Sequence, residues 1–400
     1  MKKFLAFLLA AAMVLSFAAC SNEGGNKGGN EGGNTNTEGA SVIKLGGIGP
    51  LTGDYANYGT SVNKGAKIAV EEINANGGIA GMQVELNFQD SQGDPDSAVS
   101  AYGKLIDWGM DVSLGGVFSG ETASIMAAAV EDDMFLITPS GSADGCITAN
   151  PNGYRVCFFD SDQGQLAARY IADNKMADKV GVFYQSDLDY SKGLYDAFKA
   201  KCPELGIEVV CEQSFTNDTN TSFETQIDAL AASGAKVIFL PIYAAEASTF
   251  LSQAKNGTAD SKFADDVYFF GADGLDGILT KVEQAPKTAD NVLMITPFAA
   301  DNPEEKVQNF VKKFGEANNG ETPDQFAADG YDAVYIIKSI VEAAGITNSD
   351  DITAAALKEQ IEKITFEGVT GTAQWNSDGN TNKAALAILY KDGAGALFSK

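Results

Sequence analysis

From Val42 onward the chain alternates short apolar runs with longer stretches whose apolar positions recur at helical spacing. Residues 42–48 form an apolar run between polar or glycine positions, a strand pattern. Residues 58–76 place Val62, Ala66, Ala69, Val70 and Ile73 on one helical face. Val84, Leu86 and Phe88 alternate as a strand, Asp94-Pro95 starts a helix reaching 108, and strands at 112–115 and 134–138 flank a helix from Ser119. After Asp160 the rhythm restarts with a helix (163–174), then strand and helix in turn (180–184, 191–202, 207–212, 223–233, 237–240, 246–256, 267–271). Three helical patterns (303–318, 324–344, 353–364) close the series with little strand between them, and they are expected to return to the first half.

Two β-α series with short loops predict an α/β protein of two doubly wound lobes, each a mostly parallel sheet covered by helices on both faces. In such sheets ligands bind outside the carboxyl ends of the strands, where helix N-termini present unpaired N–H groups. The strand-to-helix loops are therefore the place to look for chemistry.

The segment ahead of the lobes has its own pattern. Lys2 and Lys3 precede an almost wholly apolar run at 4–17, with small Ala18 and Ala19 directly before Cys20, which reads as an export signal over 1–19. The small-small-Cys junction resembles the lipobox of bacterial lipoproteins, which makes Cys20 the lipidated first residue of the mature chain. Phe17 stands where Leu is usual, so cleavage without lipid is the alternative. Residues 20–41 then form a Gly/Asn-rich tether without a large apolar anchor, with a coil reach of roughly 25 Å.

Charge and residue usage narrow the functions. Lys and Arg number 28 against 54 Asp and Glu, a net −26 that becomes −28 without Lys2 and Lys3. Such an acidic surface disfavours nucleic acid and anionic lipid as partners. The complete lack of histidine removes Ser-His and Cys-His nucleophiles and His-ligated zinc. Four cysteines follow Cys20, at 146, 157, 202 and 211. In an exported chain they are either two disulfides, most simply Cys146 with Cys157 and Cys202 with Cys211, or buried thiols.

Two loops of the first series carry Ser and Gly where a helix is expected to begin: Gly115 to Thr122, with Ser119, and Thr138 to Asp144, with Ser140 and Ser142. Hydroxyls and N–H groups there suit a carboxylate, and plain N-capping is the competing reading. In the second series Tyr190, Tyr243 and Asp273 each follow a strand; an Asp there can pair with an ammonium group while tyrosines cover apolar surface. Packing and an Asx turn before Gly274 are the competing readings. Enzyme signals are poor. Pro50 and Gly53 break a GxGxxG after Gly47-Ile48-Gly49, the stretch 116–120 is no nucleophile elbow, and Asn376 to Asn380 reads as a turn rather than a calcium loop. No motif asks for a metal or a cofactor.

Gly49-Pro50-Leu51-Thr52-Gly53 with Tyr58-Gly59, the run 75–81 (ANGGIAG), the Asp90 turn and Asp189-Tyr190-Ser191-Lys192-Gly193 together resemble the branched-chain amino-acid-binding proteins of ABC transporters, within the type I periplasmic-binding-protein fold. The resemblance runs from Val42 to the C-terminus. It implies that Ser119 and Ser142 hold a ligand carboxylate, that the Ser140 carbonyl and Asp273 hold its ammonium group, and that Tyr58, Tyr190 and Tyr243 line the cleft. Ser142 replaces a common Thr, and Asp273 a Glu of some members. The resemblance further implies three crossings near Phe159, near Thr296 and between Gly371 and Ala384, giving lobe one as 42–159 plus 297–372 and lobe two as 160–296 plus 373–400.

The implied function is an extracytoplasmic, membrane-anchored, monomeric and non-enzymatic binding protein. It captures a neutral, branched or otherwise apolar amino acid and delivers it to ABC permease and ATPase subunits. The alternatives are the same fold with a urea-like, amide or aromatic-acid ligand or a sensor partner, and a carboxylate-dependent enzyme such as a glycosidase.

Overall fold

The computed structural model describes residues 41–398. The expectations for the leader 1–19, for lipidated Cys20 and for tether residues 20–40 lie outside the described residues.

The first sheet holds β1 (Val42–Gly49), β2 (Gln83–Asp90), β3 (Val112–Ser113), β4 (Leu136–Thr138) and β5 (Gly153–Arg155), interleaved with α1 (Ala56–Ala75), α2 (Pro95–Trp108) and α3 (Ser119–Ala128). Its order is β2-β1-β3-β4-β5, all parallel. The chain continues through α4 (Asp160–Asp173), β6 (Lys179–Gln185), α5 (Asp189–Lys201), β7 (Glu208–Phe215), α6 (Glu224–Ala232), β8 (Val237–Leu240), α7 (Ala244–Ala254), β9 (Tyr268–Gly271), α8 (Ile278–Lys281) and β10 (Val292–Thr296). Next come α9 (Glu305–Ala317), α10 (Gln325–Ala343) and α11 (Ala354–Ile361), a hairpin of β11 (Phe366–Gly368) and β12 (Gly371–Ala373), and finally β13 (Leu386–Lys391) and β14 (Ala394–Leu397). The second sheet runs β14-β13-β10-β9-β8-β6-β7; β6 to β10 are parallel, while β13 and β14 add antiparallel at one edge.

The two-lobe α/β reading therefore holds, and both orders reverse direction inside the sheet, between β1 and β3 in one and between β6 and β8 in the other. Each reversal splays two loops apart at the strand ends and opens a crevice. The late helices α9 and α10 pack against α1, and α11 against α10. Helix α10 lies against α1 so closely that a Cβ on Gly65 would meet the Ala327 carbonyl oxygen at 1.8 Å, and one on Gly330 the Val62 oxygen at 2.3 Å. Among the described residues no helix is long and apolar enough to cross a membrane.

One lobe boundary differs from expectation, the turn at Asn376 to Asn380 forms as read, and of the two readings left open for the cysteines the structure shows thiols. The stretch from Trp375 to Thr381 belongs with the first sheet, not the second. Trp375 Nε1 donates to the Arg155 carbonyl (2.7 Å), Thr381 Oγ1 donates to that of Cys157 (3.0 Å), and Trp375 is buried in the first lobe's core. The boundary drawn at 373 thus moves to the approach to β13. Asn376 to Asn380 is a turn in which the Asn376 side chain accepts from the N–H groups of Asp378 and Asn380. Neither disulfide is formed: all four cysteines are free thiols. Cys146 and Cys157 are each satisfied by the Gly141 carbonyl, with Sγ to O distances of 3.2 and 3.6 Å, and burial pushes the Cys146 thiol up to about 12. Cys202 is buried where α5 ends, whereas Cys211 lies half-buried within β7.

Candidate functional site

The loop after β3 turns into α3 with Phe118 as its N-cap, so Ser119 is the first helical residue rather than the cap. Glu121 fixes that turn by accepting from the Phe118 N–H (3.2 Å) and from Ser91 Oγ (2.6 Å). The loop after β4 behaves differently from expectation. No helix follows Ser142, and the chain passes through turns to β5. Arg155 on β5 accounts for its course. The fully buried guanidinium donates to the carbonyls of Gly141 (3.2 Å), Ser142 (2.7 Å), Ala143 (3.1 Å) and Asp144 (3.3 Å), drawing four successive peptide oxygens behind the loop. The Gly141 N–H is taken by Thr138 Oγ1 (2.8 Å), and Ser140 Oγ donates to the Val117 carbonyl (2.8 Å), lashing the two loops together.

Opposite them, Asp273 opens the loop after β9. Tyr190 Oη donates to Asp273 Oδ1 (2.8 Å), Gln163 Nε2 donates to Oδ2 (3.1 Å), and the Gly274 N–H donates to both Oδ1 and the Tyr190 hydroxyl (2.8 Å each). Gln163 Oε1 in turn accepts from the Asp273 N–H (3.2 Å). Burial outweighs these donors and pushes the carboxyl up to about 6.

A second acid stands close by. Asp160, the first residue of α4, is 0 % exposed and neither of its carboxylate oxygens has a hydrogen-bond donor. Burial, followed by the charge of Asp273, holds it well above the carboxylate range, with Ser142 and Arg155 opposing. With three donors against the weaker support of Asp160, Asp273 is the better placed of the two to carry charge.

Between the two halves the cleft is nearly shut, leaving a cavity of about 10 Å³ lined by Val117, Phe118, Ser140, Ser142 and Phe326 from the first lobe and by Tyr190, Tyr243, Asp273 and Gly274 from the second. Its polar end is Ser140, Ser142 and Asp273; the rest is apolar and aromatic. Tyr58 reaches across it, accepting from the Ala244 N–H (2.9 Å) and donating to the Gly274 carbonyl (2.7 Å).

A family model described as periplasmic binding protein matches residues 42–395. The chain belongs to the periplasmic binding protein family. Among curated relatives it is 29% identical to a Leu/Ile/Val-binding protein homolog of Brucella melitensis over 88% of this chain and 91% of that one. It is 27% identical to a leucine-, isoleucine-, valine-, threonine- and alanine-binding protein of Pseudomonas aeruginosa, over 88% and 91%. Among solved structures, the branched-chain amino acid transporter substrate binding protein LivJ of Streptococcus pneumoniae, in complex with isoleucine, superposes with a TM-score of 0.79 at 29% identity, over 89% of this chain and 99% of that one.

In this periplasmic binding protein, five of the seven residues picked from sequence line the cavity itself: Ser140, Ser142, Tyr190, Tyr243 and Asp273. Tyr58 touches the second lobe through its hydroxyl. Ser119 stands one step outside, its Oγ accepting from the Ala143 N–H (3.0 Å), on an adjoining groove that also borders Asp144, Ser161 and Gly193. Sequence reasoning missed Asp160, Gln163, Arg155, Phe118 and Phe326. Phe118 was within reach, being next to Ser119 in a loop already singled out. Asp160 and Gln163 belong to the crossing after Phe159, where an acid or an amide carries no local signal. Phe326 arrives on a helix some 200 positions later in the sequence than Phe118.

Proposed function

We propose that this protein captures a neutral amino acid between its lobes and delivers it to an ABC permease, tethered outside the cytoplasm through Cys20. One observation carries the reading: Ser140 and Ser142 on one lobe and the buried acid Asp273 on the other face the same small cavity. A carboxylate fits Ser142 and the start of α3, with the Arg155 charge behind the loop, while the Ser140 hydroxyl is spent on the Val117 carbonyl and its own carbonyl is left for the ammonium group. An ammonium group fits the second, where it neutralises one negative charge. Charge-assisted hydrogen bonds of roughly 1.5–3 kcal/mol each can offset much of the cost of ordering a small ligand. The binding names of the relatives point the same way. A urea or a plain aromatic acid has no cation to set against Asp273, and so fits the site less well.

A thermal-shift panel of the twenty amino acids, followed by calorimetry on those that stabilise, tests the proposal. Saturable one-to-one binding of a neutral amino acid without turnover supports it. No stabilisation by any of them, together with stabilisation by benzoate or urea, would overturn it.

A further inference from the structure

Two sets of donors hold Asp273, and only one of them borders the cavity. Oδ1 receives the Tyr190 hydroxyl and the Gly274 N–H, both cavity residues, at 2.8 Å each. Among the described residues Oδ2 receives Gln163 Nε2 alone, at 3.1 Å, and the same amide accepts from the Asp273 N–H at 3.2 Å. Gln163 is fully buried and does not line the cavity, so it reaches a ligand only through Asp273.

The orientation of that amide follows from its partners. A backbone N–H can only donate, so Oε1 faces it and Nε2 is left for Oδ2. Such a donor favours the charged carboxylate, because a proton on Oδ2 would point at another hydrogen.

Gln163 is itself placed by the helix that carries it. Gly164 lets α4 press against α5, since a Cβ there would meet the Leu194 carbonyl oxygen at 2.5 Å and the Phe198 nitrogen at 2.9 Å. Helix α5 carries Tyr190 as its second residue, so one helix pair sets both side chains that hold the carboxylate. The start of α4 is also tied to the loop after β4: the Asp160 N–H donates to the Ser142 carbonyl (2.9 Å), and the Ser161 N–H to Asp144 Oδ1 (3.0 Å). Less than one helical turn therefore separates a bond to the Ser142 loop from the bonds to Asp273. Gln163, Tyr190, Asp273 and Gly274 lie on one side of the cleft, and their bonds do not depend on how far it has closed.

Resting on the amino-acid reading above, we propose that Gln163 is a positioning residue for ligand binding: it keeps the Asp273 carboxylate charged and aimed at the ligand's ammonium group, at a spacing from Ser142 set by the first turn of α4. The titratable groups that face Asp273 are Asp160 on α4, Asp276 in its own loop, Asp329 on α10, the Cys157 thiol, and the phenols of Tyr58, Tyr190 and Tyr243. None of these brings a positive charge, so hydrogen bonds are what favour the ionised form. Losing the Oδ2 donor then moves protonation upward by about one pH unit.

Calorimetry between pH 5 and 8.5 tests this with L-leucine, L-isoleucine, L-valine, L-threonine and L-alanine on wild type and Gln163→Met, which keeps the side-chain length and removes both bonds. For each amino acid that binds, wild-type affinity should fall about tenfold from pH 7.5 to 5, with its midpoint at about 6. In Gln163→Met the midpoint moves to about 7, and the same pH step weakens binding by roughly eightyfold. A merely structural role weakens binding by one factor at every pH; that result, or wild-type behaviour in the variant, overturns the proposal. Should circular dichroism show Gln163→Met unfolded, Gln163→Asn, whose amide is one carbon shorter, is measured the same way with the same upward move expected. If neither variant folds, Gln163 is a folding residue and the proposal falls. No heat from any of the twenty amino acids with wild type would instead sink the amino-acid reading, and this inference with it.

Discussion

Asp273, proposed here to meet the ligand's ammonium group, is held at a cost to the ligand-free fold. Its carboxyl rises from an ordinary 3.8 to about 6, chiefly through burial, although Tyr190, Gln163 and the Gly274 N–H all favour the charge. Because the folded state binds this proton more tightly than the unfolded state, ligand-free stability falls as pH rises between about 4 and 6, by roughly 3 kcal/mol in total at this site. Asp273→Asn removes that penalty. The ligand-free variant should melt higher than wild type at pH 7.5, with the difference shrinking toward pH 4, while its affinity for the cognate amino acid drops at least tenfold. Calorimetric melting and titration of the same samples check both halves, and an unaltered affinity would remove Asp273 from the site. Wild type carries its own pH signature. The ammonium group needs the ionised form, so affinity should weaken about tenfold between pH 7.5 and 5 as the carboxyl protonates below 6. Equal dissociation constants at the two pH values would contradict this.

The loop between β4 and β5 owes its shape to a residue outside it. Arg155→Met keeps most of the side-chain volume and removes the donors to three buried carbonyls and a partly buried one, so it should cost about 3 kcal/mol or more in urea unfolding. Ligand affinity should fall as well, since Ser140 and Ser142 ride on that loop; full stability in the variant would show that water replaces the guanidinium. The same interaction explains a gap in what the sequence discloses. Helices with one apolar face were legible nearly to the residue, as with 94–108, where Asp94 caps α2 by accepting from the Ser97 N–H (2.8 Å). Strand β5 escaped notice because its Gly-Tyr-Arg has no apolar run, and a buried arginine makes sense only once the carbonyls it serves are folded around it. The Ser140, Ser142 and Asp273 positions were readable because they follow strand ends. Their supports, Gln163 and Arg155, act across long sequence separations and leave no local trace.

At the scale of the whole molecule, closure is built from direct contacts between the lobes. Tyr55 Oη donates to Glu246 (2.5 Å), the Gln325 N–H donates to Asp276 (2.7 Å), and Tyr58 supplies the most central pair. Its hydroxyl satisfies the first N–H of α7, a group that the helix cannot pair by itself, and at the same time the Gly274 carbonyl beside Asp273. In an open cleft water can serve both groups, so Tyr58→Phe penalises the closed state alone. Two hydrogen bonds at about 0.5–1.5 kcal/mol each correspond to a shift of roughly fivefold to 150-fold in the closed-to-open ratio. Small-angle scattering of ligand-free Tyr58→Phe should then give a larger radius of gyration than wild type, and saturating ligand should bring the two curves together. Affinity should weaken by up to the same factor, because a ligand that needs the closed form must first supply the closing energy that the hydroxyl supplied. If both the scattering and the dissociation constant matched wild type, closure would rest on the aromatic contacts and the hinge, and the Tyr58 hydroxyl would have no part in setting the balance.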